Sequence, residues 1–240
     1  AVRPAAPAPA ASLPDFSKWG EVERQPMRAV RRKTAEHLSY AWSTIPHVTH
    51  FDKADITELE QTRKRYASKA EAGGMKLTLT AIAVKVVAAA LKMFPQFASS
   101  LDMPREELIY KKYCHIGVAV DTDRGLLVPV IRDADRKSIL QLSAELAQLA
   151  ERARNRKITP EDMEGGVFTI SNLGGIGGTH FSPIVNWPEV AILGISRARM
   201  EPVFLNGMFQ PRLMLPLSLA RFLRWVAEAL EQPSLLPLEG

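Results

Sequence analysis

The run at residues 77–91, LTLTAIAVKVVAAAL, contains two threonines and Lys85 and is otherwise apolar. It falls short of the roughly 20 residues that a membrane span needs. It therefore predicts a buried helix, beginning near Thr80 and ending before Pro95. Such a helix must be covered by the rest of its own chain, so the protein needs a sizeable core. A chain of 240 residues, 46% hydrophobic and 24% charged, supplies one. One large domain or two small ones fit that length.

Around this helix the patterns alternate. Met27, Val30, Thr34, Leu38 and Trp42 keep one helical face apolar until Pro46. HVTHFDKAD is a candidate strand, and Asp55 with Glu58 resembles a capping box for a helix that stops at Gly73 and Gly74. From Leu108 the pattern changes to strands: LIYKKYCHIGVAV, a turn at DTDRG, then LLVPVI. Ser138 and Gln141 form a second capping box for a helix reaching about Arg154, and TPED at Thr159 opens a short helix. GVFTIS, a Gly-rich loop and EVAILGIS come next, and Asn206-Gly207 marks a hairpin between EPVFL and FQPRLMLPLSL. Mixed helices and strands, several of the strand pairs antiparallel, predict an α+β domain with a mixed sheet.

Composition excludes several classes of function. The single Cys114 rules out an intramolecular disulfide framework. The formal charge of +5 and a pI near 9.4 favour anionic partners without naming one. The basic clusters at Arg31, Arg63 and Arg152 lie on different predicted helices with acids nearby, so they read as solvated faces, and no nucleic-acid motif accompanies them. His47 and His50, three apart in a strand, would face opposite sides. His37, His115 and His180 lack ligand-like spacing, so no metal site is expected. No membrane segment is expected either. The opening AVRPAAPAPAASLP is an extended Ala/Pro tether that implies further domains upstream.

The most unusual stretch is SNLGGIGGTHF, from Ser171 to Phe181. A phosphate-binding glycine loop has to open a helix, but here Pro183 and Pro188 follow. Its glycines instead permit close backbone approach, either for packing or for a substrate. GISRA at Gly194 imitates a nucleophile elbow, yet another strand follows it, so Ser196 reads as structural.

Taken together, FTISNLGGIGGTHFSPIVNWPEVAILGIS, HIGVAVDTDRGLLVPVI and QPRLMLPLSL resemble the catalytic core of the dihydrolipoyl acyltransferases, the core subunits of 2-oxo-acid dehydrogenase complexes, with pyruvate as the preferred oxo acid. The resemblance runs from about Asp15 to the C-terminus. It makes residues 1–14 a linker and residues 15–240 the acyltransferase domain. It implies the chloramphenicol-acetyltransferase-like fold, homotrimers that build a large hollow core, and lipoyl domains and dehydrogenase subunits as partners through upstream domains. The implied reaction is acetyl transfer between a dihydrolipoyl thiol and coenzyme A, with the lipoyl group on a separate domain and no metal. The implied location is the bacterial cytoplasm, or the mitochondrial matrix in a eukaryote, the bacterial case being favoured. Ser171 becomes the expected hydrogen-bond donor to the oxyanion, worth roughly 3 to 4 kcal/mol. Asn172, Gly174, Gly177, Gly178 and Thr179 become substrate-channel candidates. The C-terminal PSLLPLEG is expected to dock on a neighbouring subunit, because its leucines would otherwise form an exposed patch.

Two departures stand out. Ala98 occupies a position that the family usually gives to Asn. More consequentially, the family's His-x-x-x-Asp-Gly motif, which carries the general base, lies between the LPLSL strand and the last helix. Here LPLSL runs directly into ARFLRW, where Phe222, Leu223, Val226 and Leu230 already follow helical spacing. No other His takes that place by sequence. Three origins are open: a loop present in the molecule but missing from the sequence as read, a deliberate excision, or a natural noncatalytic relative. Family character up to the junction ranks the natural case last.

Overall fold

The computed structural model describes residues 12–72, 76–123, 125–219 and Glu231. Helix α1 (Ala29–Thr44) and strand β1 (Phe51–Asp55) come first, then α2 (Thr57–Ala72) and α3 (Leu79–Met93). A two-stranded ribbon follows, β2 (Ser99–Asp102) and β3 (Glu107–Tyr110). The short strands β4 (Ile116–Val118), β5 (Val120–Thr122), β6 (Gly125–Leu127) and β7 (Val130–Ile131) precede α4 (Ile139–Arg154). Strands β8 (Phe168–Asn172), β9 (Ile192–Ile195), β10 (Arg199–Leu205) and β11 (Met208–Ser218) complete the described elements. The main sheet runs β1-β11-β9-β8-β4-β7, with β10 also paired to β11. Strand β8 is parallel to β4 and β9, and the other pairs are antiparallel, so the sheet is mixed as expected.

The apolar run is the buried helix α3. Thr78 caps it by accepting from Ala81 N at 3.2 Å, and ten of its fifteen residues are buried. They share one core with Leu142 and Leu149 of α4 and with one face of the sheet, where Phe168, Ile170, Leu193, Ile195, Leu215 and Leu217 point inward. Each fully buried Val, Leu or Ile contributes about 1.5 to 3 kcal/mol. Lys85 survives in this helix because its ammonium donates to the carbonyls of Asp135 (3.1 Å) and Lys137 (2.7 Å), fixing the turn at Ala134–Arg136. Burial holds its pKa below the ordinary lysine value.

The Ser138 and Gln141 capping box forms with both its bonds. The other box does not take the expected form. Asp55 Oδ1 accepts from Thr57 N (3.0 Å) and Thr57 Oγ1 (2.6 Å), while Oδ2 takes Arg212 Nε at 2.5 Å. Asn206 and Gly207, at φ 51° and 82°, make the tight turn between β10 and β11. The basic clusters meet acids, as solvated faces do: Arg63 grips Glu60 through two 2.8 Å bonds, and Arg156 pairs with Asp123.

Other expectations change. The histidine pair lies in coil before β1, so strand alternation does not govern it. The LIYKKYCHIGVAV run breaks at 111–115, where the chain leaves the small ribbon for the main sheet. On α1 only Ala41 is buried, and Met27, before the helix, and Trp42 are exposed, because the apolar stripe meets little of its own chain. The proposed helix end at Gly73 and Gly74, the helix after Ala220 and the C-terminal tail lie outside the described residues.

Candidate functional site

Strand β8 alternates. Phe168 and Ile170 enter the core, so Thr169 and Ser171 face the opposite side of the sheet. The register places Ser171 beside Gly194 of β9, Gly194 beside Ser218 of β11, and Ser218 beside Phe51 of β1. One row therefore crosses four strands, with two serines flanking a glycine. Ser171 is 8% exposed and Ser218 1% exposed. The Ser218 hydroxyl has no hydrogen-bond partner among the described residues. No hydrogen bond joins the Ser171 hydroxyl to another described residue.

The segment after the Gly-rich loop covers this row. A Cβ at Gly194 would lie 2.9 Å from Phe181 Cζ and 3.2 Å from Ser218 Cβ, so the Phe181 ring rests directly on the glycine between the serines. His47 fixes the next part of the cover. Its Nδ1 lies 2.8 Å from the Ile45 carbonyl and its Nε2 accepts from Val185 N at 3.0 Å, which assigns the proton to Nδ1. With Pro183, Val185, Ser218 and Leu219 it lines a cavity of about 160 Å³. The exposed His180 stands edge-on to Phe51, 5.3 Å between ring centres, at the far end of the row from Ser171.

The channel candidates do not converge on Ser171. Asn172 points to the other side of the sheet, donating to Thr80 Oγ1 (2.9 Å) and accepting from Gly174 N (2.8 Å). There it lines a cleft of about 540 Å³ with Thr78, Thr80, Ser143 and Arg154. Arg197 ties the loop down by donating to the Gly174 and Gly175 carbonyls at 2.9 and 3.0 Å. Gly177 and Gly178 adopt φ of 123° and 87°, which need glycine, and Thr179 is exposed. Ser196 is buried, with its amide donating to the Pro216 carbonyl, and β10 follows it, as the structural reading requires. Burial pushes the Cys114 thiol up to about 12, well outside the nucleophilic range.

Sequence reasoning missed the groups that hold the row. Glu189, 3% exposed, accepts from Asn186 Nδ2 at 3.1 Å, an amide nitrogen that also lies 3.5 Å from Thr169 Oγ1, and burial pushes the carboxyl up to about 7. Asn186 Oδ1 in turn lies 3.0 Å from His37 Nε2. The available signal was a lone acid in NWPEVAIL, directly before a wholly apolar strand. Among the described residues no cluster of three or more His, Cys, Asp or Glu could hold a metal ion, and no helix is long and apolar enough to cross a membrane.

A family model described as 2-oxoacid dehydrogenases acyltransferase (catalytic domain) matches residues 20–236. The chain belongs to this acyltransferase family. It is 56% identical over 206 residues to the dihydrolipoyllysine-residue acetyltransferase component of the pyruvate dehydrogenase complex of Pseudomonas aeruginosa, a match that covers 86% of this chain and 38% of that protein. The chain thus spans well under half the length of that relative. Among solved structures, the dihydrolipoamide acetyltransferase of Azotobacter vinelandii superposes with a TM-score of 0.92 at 50% identity, covering 95% of this chain and 99% of that one. In that enzyme, the roles of a serine, a histidine and an asparagine in the catalytic mechanism have been investigated. The cubic core of the pyruvate dehydrogenase multienzyme complex superposes equally well, with a TM-score of 0.92 at 49% identity and the same coverage of both chains. The α+β fold with a mixed sheet is therefore that of the acyltransferase cores.

Proposed function

We propose that this acyltransferase domain moves an acetyl group between a dihydrolipoyl thiol and coenzyme A in a pyruvate dehydrogenase complex, and builds that complex's oligomeric core. The attacking sulfur adds to the thioester carbonyl, whose oxygen becomes negative. Ser171 Oγ–H donates to that oxygen, and collapse of the intermediate expels the other thiolate. The observation that carries this reading is the Ser171 hydroxyl itself, nearly buried on the polar row yet without a partner among the described residues. A preorganised donor of this kind acts on charge that exists only as the reaction proceeds. The test is acetyl transfer from acetyl coenzyme A to dihydrolipoamide, with Ser171→Ala as the comparison.

A second reading, an assembling scaffold with poor turnover, is favoured by one observation. The sequence passes from Leu219 to Ala220 with no His-x-x-x-Asp-Gly between them. A thiol with a pKa near 8.5 is mostly protonated at neutral pH, and loss of a general base lowers rates by about 10² to 10⁴-fold. His47 does not substitute, because its Nε2 already accepts from Val185 N. We assign assembly to homotrimers within a larger particle, with the tail at residues 233–240 docking on a neighbouring subunit. Light scattering of a chain lacking that tail tests the docking, since an unchanged particle size contradicts it. Upstream lipoyl and subunit-binding domains and a bacterial cytoplasmic location complete the proposal, in keeping with the bacterial source of the relatives named above.

A further inference from the structure

The acetyl-transfer chemistry leaves one buried ionisable group without a task. Glu189 lies beside the start of β8, near Gly166 and Thr169. Its Oε1 accepts from Asn186 Nδ2 at 3.1 Å, the same amide nitrogen lies 3.5 Å from Thr169 Oγ1, and a Cβ at Gly166 would stand 3.0 Å from Oε1. Its Oε2 has no partner among the described residues. The turn that carries it is fastened from both sides. Glu189 N donates to the Asn186 carbonyl at 2.9 Å, and the Pro188 carbonyl accepts from Ser100 Oγ at 2.5 Å. Lys111 Nζ holds Ser100 Oγ (2.6 Å) and the Ser99 carbonyl (3.2 Å).

Thr169 and Ser171 are alternate residues on one face of one strand, so a displacement of Thr169 is transmitted to Ser171. We propose that Glu189 is a positioning residue for Ser171, its carboxyl holding the Asn186 amide against Thr169 so that the turn at 186–189 stays closed on the polar face of β8. The inference rests on the reading of Ser171 as the oxyanion donor. Its physical basis is the lopsided solvation of the carboxyl. Oε1 takes the Asn186 amide and Oε2 has no partner among the described residues, so the neutral acid suits the site and an ionised Oε2 would be a bare buried charge. Ionisation then favours an opened turn that lets water reach Oε2. Among the described residues, the charged and titratable groups that face Glu189 are Lys111, which is held by Ser99 and Ser100, and His37, which meets the oxygen of the Asn186 amide rather than the carboxyl. The burial-raised value of about 7 places the transition in the neutral range.

The experiment is amide hydrogen exchange on the assembled protein, read on peptides spanning 166–172 and 186–190 between pH 6 and 8 and corrected for intrinsic exchange rates. In the wild type, protection of these segments falls about tenfold across that range, the linkage expected of one group titrating near 7. In Glu189→Gln protection is independent of pH. PH-independent protection in the wild type overturns the proposal, whether or not the variant folds, and so does the wild-type trend persisting in the variant. The Ser171 reading is separated by turnover in a version carrying the family loop. If Ser171→Ala transfers acetyl at the wild-type rate, that reading fails while the exchange result still decides the clamp. If Ser171→Ala is slow but Glu189→Gln keeps the wild-type pH profile of kcat, the positioning role fails alone.

Discussion

Substituting Gly194 with alanine tests the arrangement of the polar row most sharply. The added methyl would sit 2.9 Å from Phe181 Cζ, 3.1 Å from Cε1 and 3.2 Å from Ser218 Cβ. Real Cβ contacts do not approach so closely, so the ring has to lift or the strands have to part. The backbone at Gly194 is ordinary strand, so the penalty is one of space rather than dihedral angle. Overpacking of this kind costs about 1 to 3 kcal/mol. At about 2 to 4 °C per kcal/mol for a domain of this size, a central cost of about 2 kcal/mol lowers Tm by about 4 to 8 °C. The second substitution, Phe181→Leu, removes the ring atoms that the methyl strikes. The pair should therefore be coupled, with Gly194→Ala costing at least 1 kcal/mol less in the Phe181→Leu background, within the range seen for residues in contact. Thermal unfolding of the four proteins at one concentration gives the cycle. Additive shifts in Tm would refute the placement of Phe181 on the glycine.

Other outcomes follow from the same structure. In a version carrying the family loop, Ser171→Ala should lower kcat about 10² to 10³-fold and leave particle size unchanged, as read by steady-state transfer and light scattering. Glu189 has a folded-state pKa of about 7, above its ordinary 4.5. The native state therefore holds more protons between those values, and stability declines as pH rises from 4.5 to 7. The decline amounts to about 3 kcal/mol if the whole shift is expressed, and denaturant titrations of Glu189→Gln should lack it. Cys114, raised to about 12 by burial, should react with an aromatic disulfide reagent at pH 8 far more slowly in the native protein than in denaturant; equal rates would contradict its burial.

What the sequence disclosed depended on whether one local pattern determined the outcome. The α3 helix was legible because the run at residues 77–91, with Lys85 its single charge, has no stable place but a core. The hairpin at Asn206 and the box at Ser138 were legible because their geometry demands those residue types. Ser171 emerged through family resemblance, and the alternation along β8 then explains how it comes to face away from the core. The row it joins could not be read in advance, since Gly194, Ser218 and Phe51 are brought beside it by strand register alone. The same holds for Asn172, which is adjacent in sequence to Ser171 and occupies the opposite side of the sheet. The stripe on α1 shows the limit of periodicity, which identifies an apolar face but not what covers it. Glu189 was passed over because a single acid carries no motif, and only its burial and its bond to Asn186 give it meaning.

The central claim is that Ser171 stabilises the oxyanion while the segment that would activate the thiol is missing between Leu219 and Ala220. Its most direct test is the rate of acetyl transfer to dihydrolipoamide by a chain whose intact mass is confirmed at 26.6 kDa, compared with the same chain given a His-x-x-x-Asp-Gly loop at that junction. The account predicts a gain of about 10² to 10⁴-fold from the loop. Equal rates, with the unmodified chain already turning over at the level of the loop-bearing one, would contradict it.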